Sequence, residues 1–310
     1  MSVSLTLLKE IIQLFLIMLM GWIVVKVKLL KSTDSRVLSV LMVYIVTPCV
    51  LINACQIDAS PQVQSGLIYS FVVAVLVHVV YLAVTALLGK PLRMDVLEKA
   101  SVIYTNAGIL VIPIVKLLLG DEYVIYSCAF IVVQLVLIWT HCIRLISGSQ
   151  HFQIKKIICN INIIAIIVGL VIFLCGITLP GVVQSAIDTT GSMIGPIGMM
   201  LAGMVIADSP ILKILKNARN YLVVILRLFV YPLIILALLV LTHAATFIPD
   251  GKNILMTVFI AAITPACATV TSLAQLNGKG AAHASELYVL TTIFSIISMP
   301  VILGLYDIFI

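Results

Sequence analysis

The chain is built of long apolar runs separated by short polar punctuation. Ten runs stand out, at about residues 5–25, 36–56, 65–89, 98–119, 122–145, 158–178, 182–207, 220–243, 253–276 and 284–308. Each is long enough to cross a bilayer as a helix, which takes about 20 residues. Their apolar positions are continuous, whereas strands of an outer-membrane barrel would alternate over about ten residues. Backbone groups in lipid must find partners within the protein, so runs of this kind predict α-helices. The expected fold is an all-α polytopic membrane protein with ten transmembrane helices.

The stretches between runs are short, so no separate soluble domain is expected. The longest, around Ser147–Lys156, divides the chain into halves, 1–150 and 151–310. Each half holds five runs, an odd number, so the second would enter the membrane upside down relative to the first. Two inverted five-helix repeats are a common plan among secondary transporters. An internal echo favours it. Run 2 carries Pro48 and run 7 carries Pro196. Runs 4 and 9, SVIYTNAGILVIPIVKLLLG and VFIAAITPACATVTSLAQLNG, are the most irregular. Aligning Gly120 with Gly278 sets Tyr104-Thr105-Asn106-Ala107-Gly108 against Ala262-Ile263-Thr264-Pro265-Ala266. Each half thus has a polar, Gly- or Pro-interrupted patch in the middle of its fourth run.

Proline removes a backbone donor and clashes with the preceding turn. A break at membrane depth is tolerated where it lines a cavity or is buried in protein. The N-terminus of a broken half-helix offers free N–H groups and roughly half a positive charge. Two such ends aimed at one point make an anion site without any Lys or Arg. The plain alternative is a pair of packing kinks, because Pro and Gly are frequent in membrane helices. Matched positions, each beside Asn or Thr, favour the functional reading.

Composition sharpens the class. Hydrophobic types make up 63% of the 310 residues and charged types 10%, against about 45–50% and about 25% in soluble domains. That excludes a soluble enzyme, a disordered chain and a nucleic-acid-binding domain. The net charge of +6 is a topology signal. Of the 18 Lys and Arg, 14 fall after odd-numbered runs, including Lys26, Lys28, Lys31 and Arg36, then Lys90 and Arg93, then Lys213, Lys216 and Arg219. Positive-inside logic places those loops in the cytoplasm and both termini outside the cytoplasmic membrane. The start of the chain is not a persuasive signal peptide, with Lys9 and Glu10 inside its first run.

Few residues offer chemistry. The seven Cys show no CxxC pairing and read as small buried hydrophobes. No zinc, HExxH, phosphate-loop or Ser/His/Asp pattern occurs, so no metal, cofactor or catalytic residue is expected. Asp188 is the candidate coupling acid, with an interfacial helix-start acid as its plain alternative. Arg227 is expected to snorkel from the cytoplasmic end of run 8. His78, His141 and His243 read as hydrogen-bonded or interfacial rather than as a proton relay. Gln134 and Ser295, at similar depths in runs 5 and 10, are expected to hydrogen-bond the broken helices.

Four strings carry a resemblance. TPCVLINAC (Thr47–Cys55), YTNAGILVIPIV (Tyr104–Val115), TGSMIGPIGMMLAGMVIA (Thr190–Ala207) and ITPACATVTSLAQLNG (Ile263–Gly278) occur in this order. Together they resemble the auxin efflux carrier family in its compact prokaryotic, malate permease-like form. Asn106, Gly108 and Pro113 match the fourth-helix string, although Val111 stands where a second Gly is usual. Gly191, Pro196 and Gly203 match the seventh, and Pro265, Leu273, Ala274 and Gly278 match the ninth.

The resemblance implies a bile-acid-transporter-like (or NhaA-like) fold. Helices 1, 2, 6 and 7 would form a scaffold, and helices 3–5 and 8–10 a moving transport unit with helices 4 and 9 crossing at their breaks. The crossover residues map onto Asn106 and Pro265, with Pro48, Pro113 and Pro196 as further hinge positions. The implied activity is elevator-type secondary transport of a small organic anion such as malate, malonate or an auxin-like acid, often by a homodimer joined through the scaffold. Asn106, Ala107, Gly108, Thr264, Pro265 and Ala266 would hold the carboxylate, Asn106 and Thr264 as donors, with Val50 and Asn53 shaping the pocket. Anion uniport or weak proton coupling is expected rather than sodium symport. The rival readings are a substrate-sensing or channel-like protein on the same fold, and an intramembrane enzyme, which would need a catalytic set the chain lacks.

Overall fold

The structure is a computed structural model that describes residues 3–56, 60–148, 158–207 and 211–310. Helices fall in all ten apolar runs: α1 (Val3–Lys26), α2 (Ser32–Ala54), α3 (Pro61–Gly89), α4 (Val96–Ile103), α5 (Ala107–Leu118), α6 (Asp121–Ser147), α7 (Ile161–Cys175), α8 (Gly181–Ala207), α9 (Ile211–Lys216), α10 (Ala218–Leu241), α11 (Gly251–Ile263), α12 (Ala268–Leu276) and α13 (Ala281–Phe309). No strand occurs among the described residues, so the chain is an all-helical, polytopic membrane protein. By length and composition α2, α3, α6, α8, α10 and α13 each suffice to cross a membrane. Runs 4 and 9 are each split into two short helices, α4–α5 and α11–α12, by non-helical residues at 104–106 and 264–267.

Local chemistry sets the ends. Ser60 accepts from the Val63 N–H at 3.3 Å and Pro61 opens α3, where a missing N–H has no consequence. Asp95 caps α4 through the N–H groups of Leu97 and Glu98, both at 2.8 Å. Gly176 ends α7 with φ of 61°, the left-handed conformation that glycine adopts without strain. Widened π-type turns at Met42–Val46 and Leu226–Val230 precede Pro48 and Pro232. Each proline lacks the N–H that would serve the carbonyl four residues back, and the wider turn accommodates that gap.

Helix pairs close through small residues. The backbone of α8 at Gly203 lies against Met18 and Trp22 of α1, and Gly21 of α1 lies against Met200. Side chains at these glycines would hold the backbones apart, which is why small residues mark such interfaces. At one end of the bundle Glu98 of α4 is buried and paired with Arg219 of α10 at 2.6 Å. Together with the cap on α4, this ion pair fixes the first half-helix leading to the break.

Candidate functional site

The two interruptions meet. Extended residues of one pair with those of the other, the Asn106 N–H donating to Pro265 O at 2.8 Å and the Cys267 N–H to Tyr104 O at 3.0 Å. Thr105 and Ala266 face each other antiparallel. Asn106 and Pro265, far apart in sequence, are therefore direct partners at a crossing of two broken helices. Thr105, Asn106, Thr264 and Ala266 are all buried.

Buried backbone groups must be paired, and a break removes the helical partners. Side chains from neighbouring helices supply replacements. Gln134 of α6 accepts from the Thr105 N–H at 3.0 Å and from its hydroxyl at 2.8 Å, and its own amide donates to Thr105 O at 2.8 Å. This is the role expected of Gln134. Ser295 does not share it, since its hydroxyl donates to Thr292 O within α13 at 2.7 Å. Thr291, one turn earlier, accepts from the Ala266 N–H at 3.1 Å instead.

Arg227 overturns its expectation. It does not snorkel to an interface; its side chain is 0% exposed, at the crossing itself. Nε and Nη2 donate to Thr264 O at 3.0 and 2.8 Å, Nη1 donates to Val102 O at 3.0 Å, and Nη2 also reaches Ala262 O. The guanidinium lies over the Tyr81 ring, 5.2 Å from its centre, and the Tyr81 hydroxyl donates to Ala262 O at 2.9 Å. These carbonyls end α4 and α11, where the helix dipole is negative. One signal pointed this way. Arg227 lies nine residues beyond Ala218, about 14 Å along a helix at 1.5 Å per residue, close to the middle of a core about 30 Å thick.

The opposite half-helices present their N-termini. Ala107 and Gly108 open α5, whose first N–H groups have no acceptor within the helix. The Asn106 side chain meets the Tyr288 hydroxyl. At the start of α12 the Cys267 thiol lies against the N–H groups of Thr269 and Val270. The Thr264 hydroxyl donates to Ala261 O at 3.1 Å, so it is engaged within its own chain segment. Beside α5 lies an apolar cavity lined by Leu110 and Ile114 of α5, Phe15 of α1, Met199 of α8, and Thr292 and Ser295 of α13.

The remaining sequence candidates lie elsewhere. Val50 packs on Gly191, and Asn53 accepts from Gln184 at 2.6 Å, which also donates to Asp188 at 3.0 Å. Val50 and Asn53 thus line the contact of α2 with α8, Asp188 is exposed on α8, and none of the three borders that cavity. Pro113 is buried inside α5, Pro48 is buried in α2, and Pro196 is exposed on α8. His78 bonds Ala74 O at 2.7 Å, and His141 bonds the Tyr104 hydroxyl at 2.7 Å. His243 stands in a left-handed turn between helices.

The family profile described as membrane transport protein matches residues 6–153 and 149–303, which together span nearly the whole chain. No curated protein matches it. An all-helical membrane chain with paired helix breaks and a profile match along its length belongs to the membrane transport protein family, the family of the auxin efflux carriers.

Proposed function

We propose that this membrane transporter is a secondary carrier of a small organic anion, a carboxylate such as malate, malonate or an auxin-like acid. The observation that carries the reading is the bonded crossing of the two helix breaks, Asn106 to Pro265 and Tyr104 to Cys267, beside an apolar cavity. The carboxylate sits at the N-terminal turn of α5, on the N–H groups of Ala107 and Gly108 and the amide of Asn106. Thr264, Pro265 and Ala266 close the crossing beside it, and the small apolar cavity along α5 borders it. Helix N-termini bind anions through free N–H groups and the positive dipole end.

In this reading the ten helical runs form two inverted five-helix repeats, 1–150 and 151–310. Helices α1, α2, α7 and α8 are the scaffold, through which two copies pair. The remaining helices carry the crossing past it in an elevator-type cycle, with Pro48, Pro113, Pro196 and Pro265 at the bends. The cavity's walls support this, since Phe15 and Met199 come from the scaffold side and Leu110 and Ser295 from the transport side. The protein resides in the cytoplasmic membrane with both termini outside, moves the anion alone or with weak proton coupling through Asp188, and needs no cofactor.

The test is uptake into proteoliposomes across a panel of radiolabelled carboxylates, with imposed pH, sodium and voltage gradients. Saturable uptake of a carboxylate, abolished by Asn106→Ala in a folded protein, is the expected result. Strict sodium dependence would remove the coupling assignment. Unitary currents would favour a channel, binding without flux a sensor, and unchanged uptake in Asn106→Ala would remove the site.

A further inference from the structure

The charges at the crossing do not cancel. Four half-helix ends meet there, the C-termini of α4 and α11 and the N-termini of α5 and α12. Each contributes roughly half an elementary charge, negative from the first pair and positive from the second. Together they sum to about zero, and Arg227 adds a full positive charge. A guanidinium stays protonated in proteins. Its hydrogen-bond acceptors are the carbonyls of Val102, Ala262 and Thr264, and none is a carboxylate. The other groups that act on it electrostatically are Tyr81, Tyr231, Cys267 and His78. Among the described residues the buried acid of this region is Glu98, and it is already matched by Arg219 at 2.6 Å. An unbalanced buried charge is costly unless something compensates it.

We propose that Arg227 is the counter-charge for the transported anion, so that the crossing accepts one negative charge and the loaded transport unit is electrically neutral. This rests on the carrier reading above. The empty unit then moves with one positive charge, and the unit loaded with a dianion moves with one negative charge. Arg227 thereby sets the preferred substrate charge without touching the substrate. The four ends orient the anion, and the arginine behind them fixes how many charges are favourable.

The experiment measures exchange of the same substrate across a proteoliposome membrane clamped by potassium and valinomycin. Indole-3-acetate is the monoanion probe and malate at pH 7.5 the dianion probe. A unit charge crossing the whole field alters an equilibrium about 50-fold per 100 mV. Expected is indole-3-acetate exchange that changes less than about twofold over 100 mV, while malate exchange changes several-fold. Net indole-3-acetate flux should follow voltage because the empty unit returns charged. Arg227→Lys should keep the flat exchange, and Arg227→Gln should make it voltage-dependent. Strongly voltage-dependent indole-3-acetate exchange in the native protein overturns the counter-charge, and so does flat exchange in a folded Arg227→Gln protein. Exchange of neither probe, nor of any other carboxylate in the panel, overturns the carrier reading and this proposal with it.

Discussion

Arg227 holds the carbonyl oxygen of Thr264 with two nitrogens at once, Nε at 3.0 Å and Nη2 at 2.8 Å. Thr264 ends α11, and the same guanidinium reaches Val102 near the end of α4. One side chain therefore satisfies both helix ends that the interruptions leave open. Arg227→Met strips the carbonyls of Thr264 and Val102, whereas Ala262 keeps the Tyr81 hydroxyl. A buried polar group left unpaired costs about 1–3 kcal/mol, so the loss is on the order of 2–6 kcal/mol. The expected outcome is a clearly lowered thermal unfolding midpoint in detergent, with a smaller drop for Arg227→Lys. An unchanged midpoint for Arg227→Met would show that the carbonyls find other partners.

Gln134 performs the matching service at the other break. Its amide takes both backbone groups of Thr105 and the Thr105 hydroxyl. Gln134→Ala should destabilise by about 2–6 kcal/mol, because two buried backbone groups lose their partner. Gln134→Glu, held as the neutral acid by its burial, keeps an acceptor and a single O–H donor in a different geometry, so its unfolding midpoint should fall between those of Ala and the native protein. Equal midpoints for Ala and Glu would contradict this division of roles.

Much of this architecture is legible in the chain. Thr-Asn-Ala-Gly and Thr-Pro-Ala in otherwise continuous apolar runs mark both breaks, because polar residues beside Gly or Pro at membrane depth signal backbone that is buried in protein or lines a cavity. Gln134 is legible for the same reason, as an amide at mid-depth. The partners of Arg227 are not legible, because they are backbone carbonyls on helices remote in sequence and carry no side-chain signature. Thr291 and Ser295 lie four residues apart on one helix face, so periodicity cannot choose between them. Packing alone brings Thr291 to the Ala266 N–H. Asn53 and Asp188 illustrate the opposite limit. Both are polar residues on apolar helices, yet Gln184 of α8 takes them up, donating to Asn53 across to α2 and to Asp188 within its own helix.

The cap on α4 has a pH signature. Partial burial works to raise the pKa of Asp95, but the hydrogen bond with His283 and the N–H groups of Glu98 and Leu97 outweigh it and hold the carboxyl below its ordinary value. A lowered folded-state pKa stabilises the protein above the unfolded value of about 3.9 and loses that contribution as pH falls through the folded value. Asp95→Ala should cost about 0.5–2 kcal/mol at pH 7. The difference from the native protein should shrink below about pH 4. A gap that does not narrow at all as the pH of thermal melts is lowered from about 5 through the acid range would remove the ionised cap as its cause.

The α1–α8 contact depends on an absent side chain. A Cβ at Gly203 would meet the Met18 carbonyl and the Trp22 N–H of α1, whereas one at Gly181 meets nothing within 4 Å. Gly203→Ala should therefore force the helices apart and destabilise by about 1–3 kcal/mol. Gly181→Ala should leave the midpoint unchanged or slightly raised, since Ala favours helix over Gly. Equal melting of the two variants would mean that α1 and α8 have room to spare.

Orientation can be read from two cysteines at opposite ends of α7. Cys159 lies just before the helix and Cys175 closes it, and both are exposed. Cytoplasmic placement of Arg144, Lys155 and Lys156 puts Cys159 on the inner side and Cys175 on the outer. Single-cysteine proteins carrying either residue, with the other six changed to serine or alanine, would be treated with a membrane-impermeant maleimide on intact cells. Cys175 should label before permeabilisation and Cys159 only afterwards. The reverse order would invert the whole topology and bring both termini into the cytoplasm. It would also exchange the inner and outer sides of the crossing, leaving the contacts of Arg227 and Gln134 untouched.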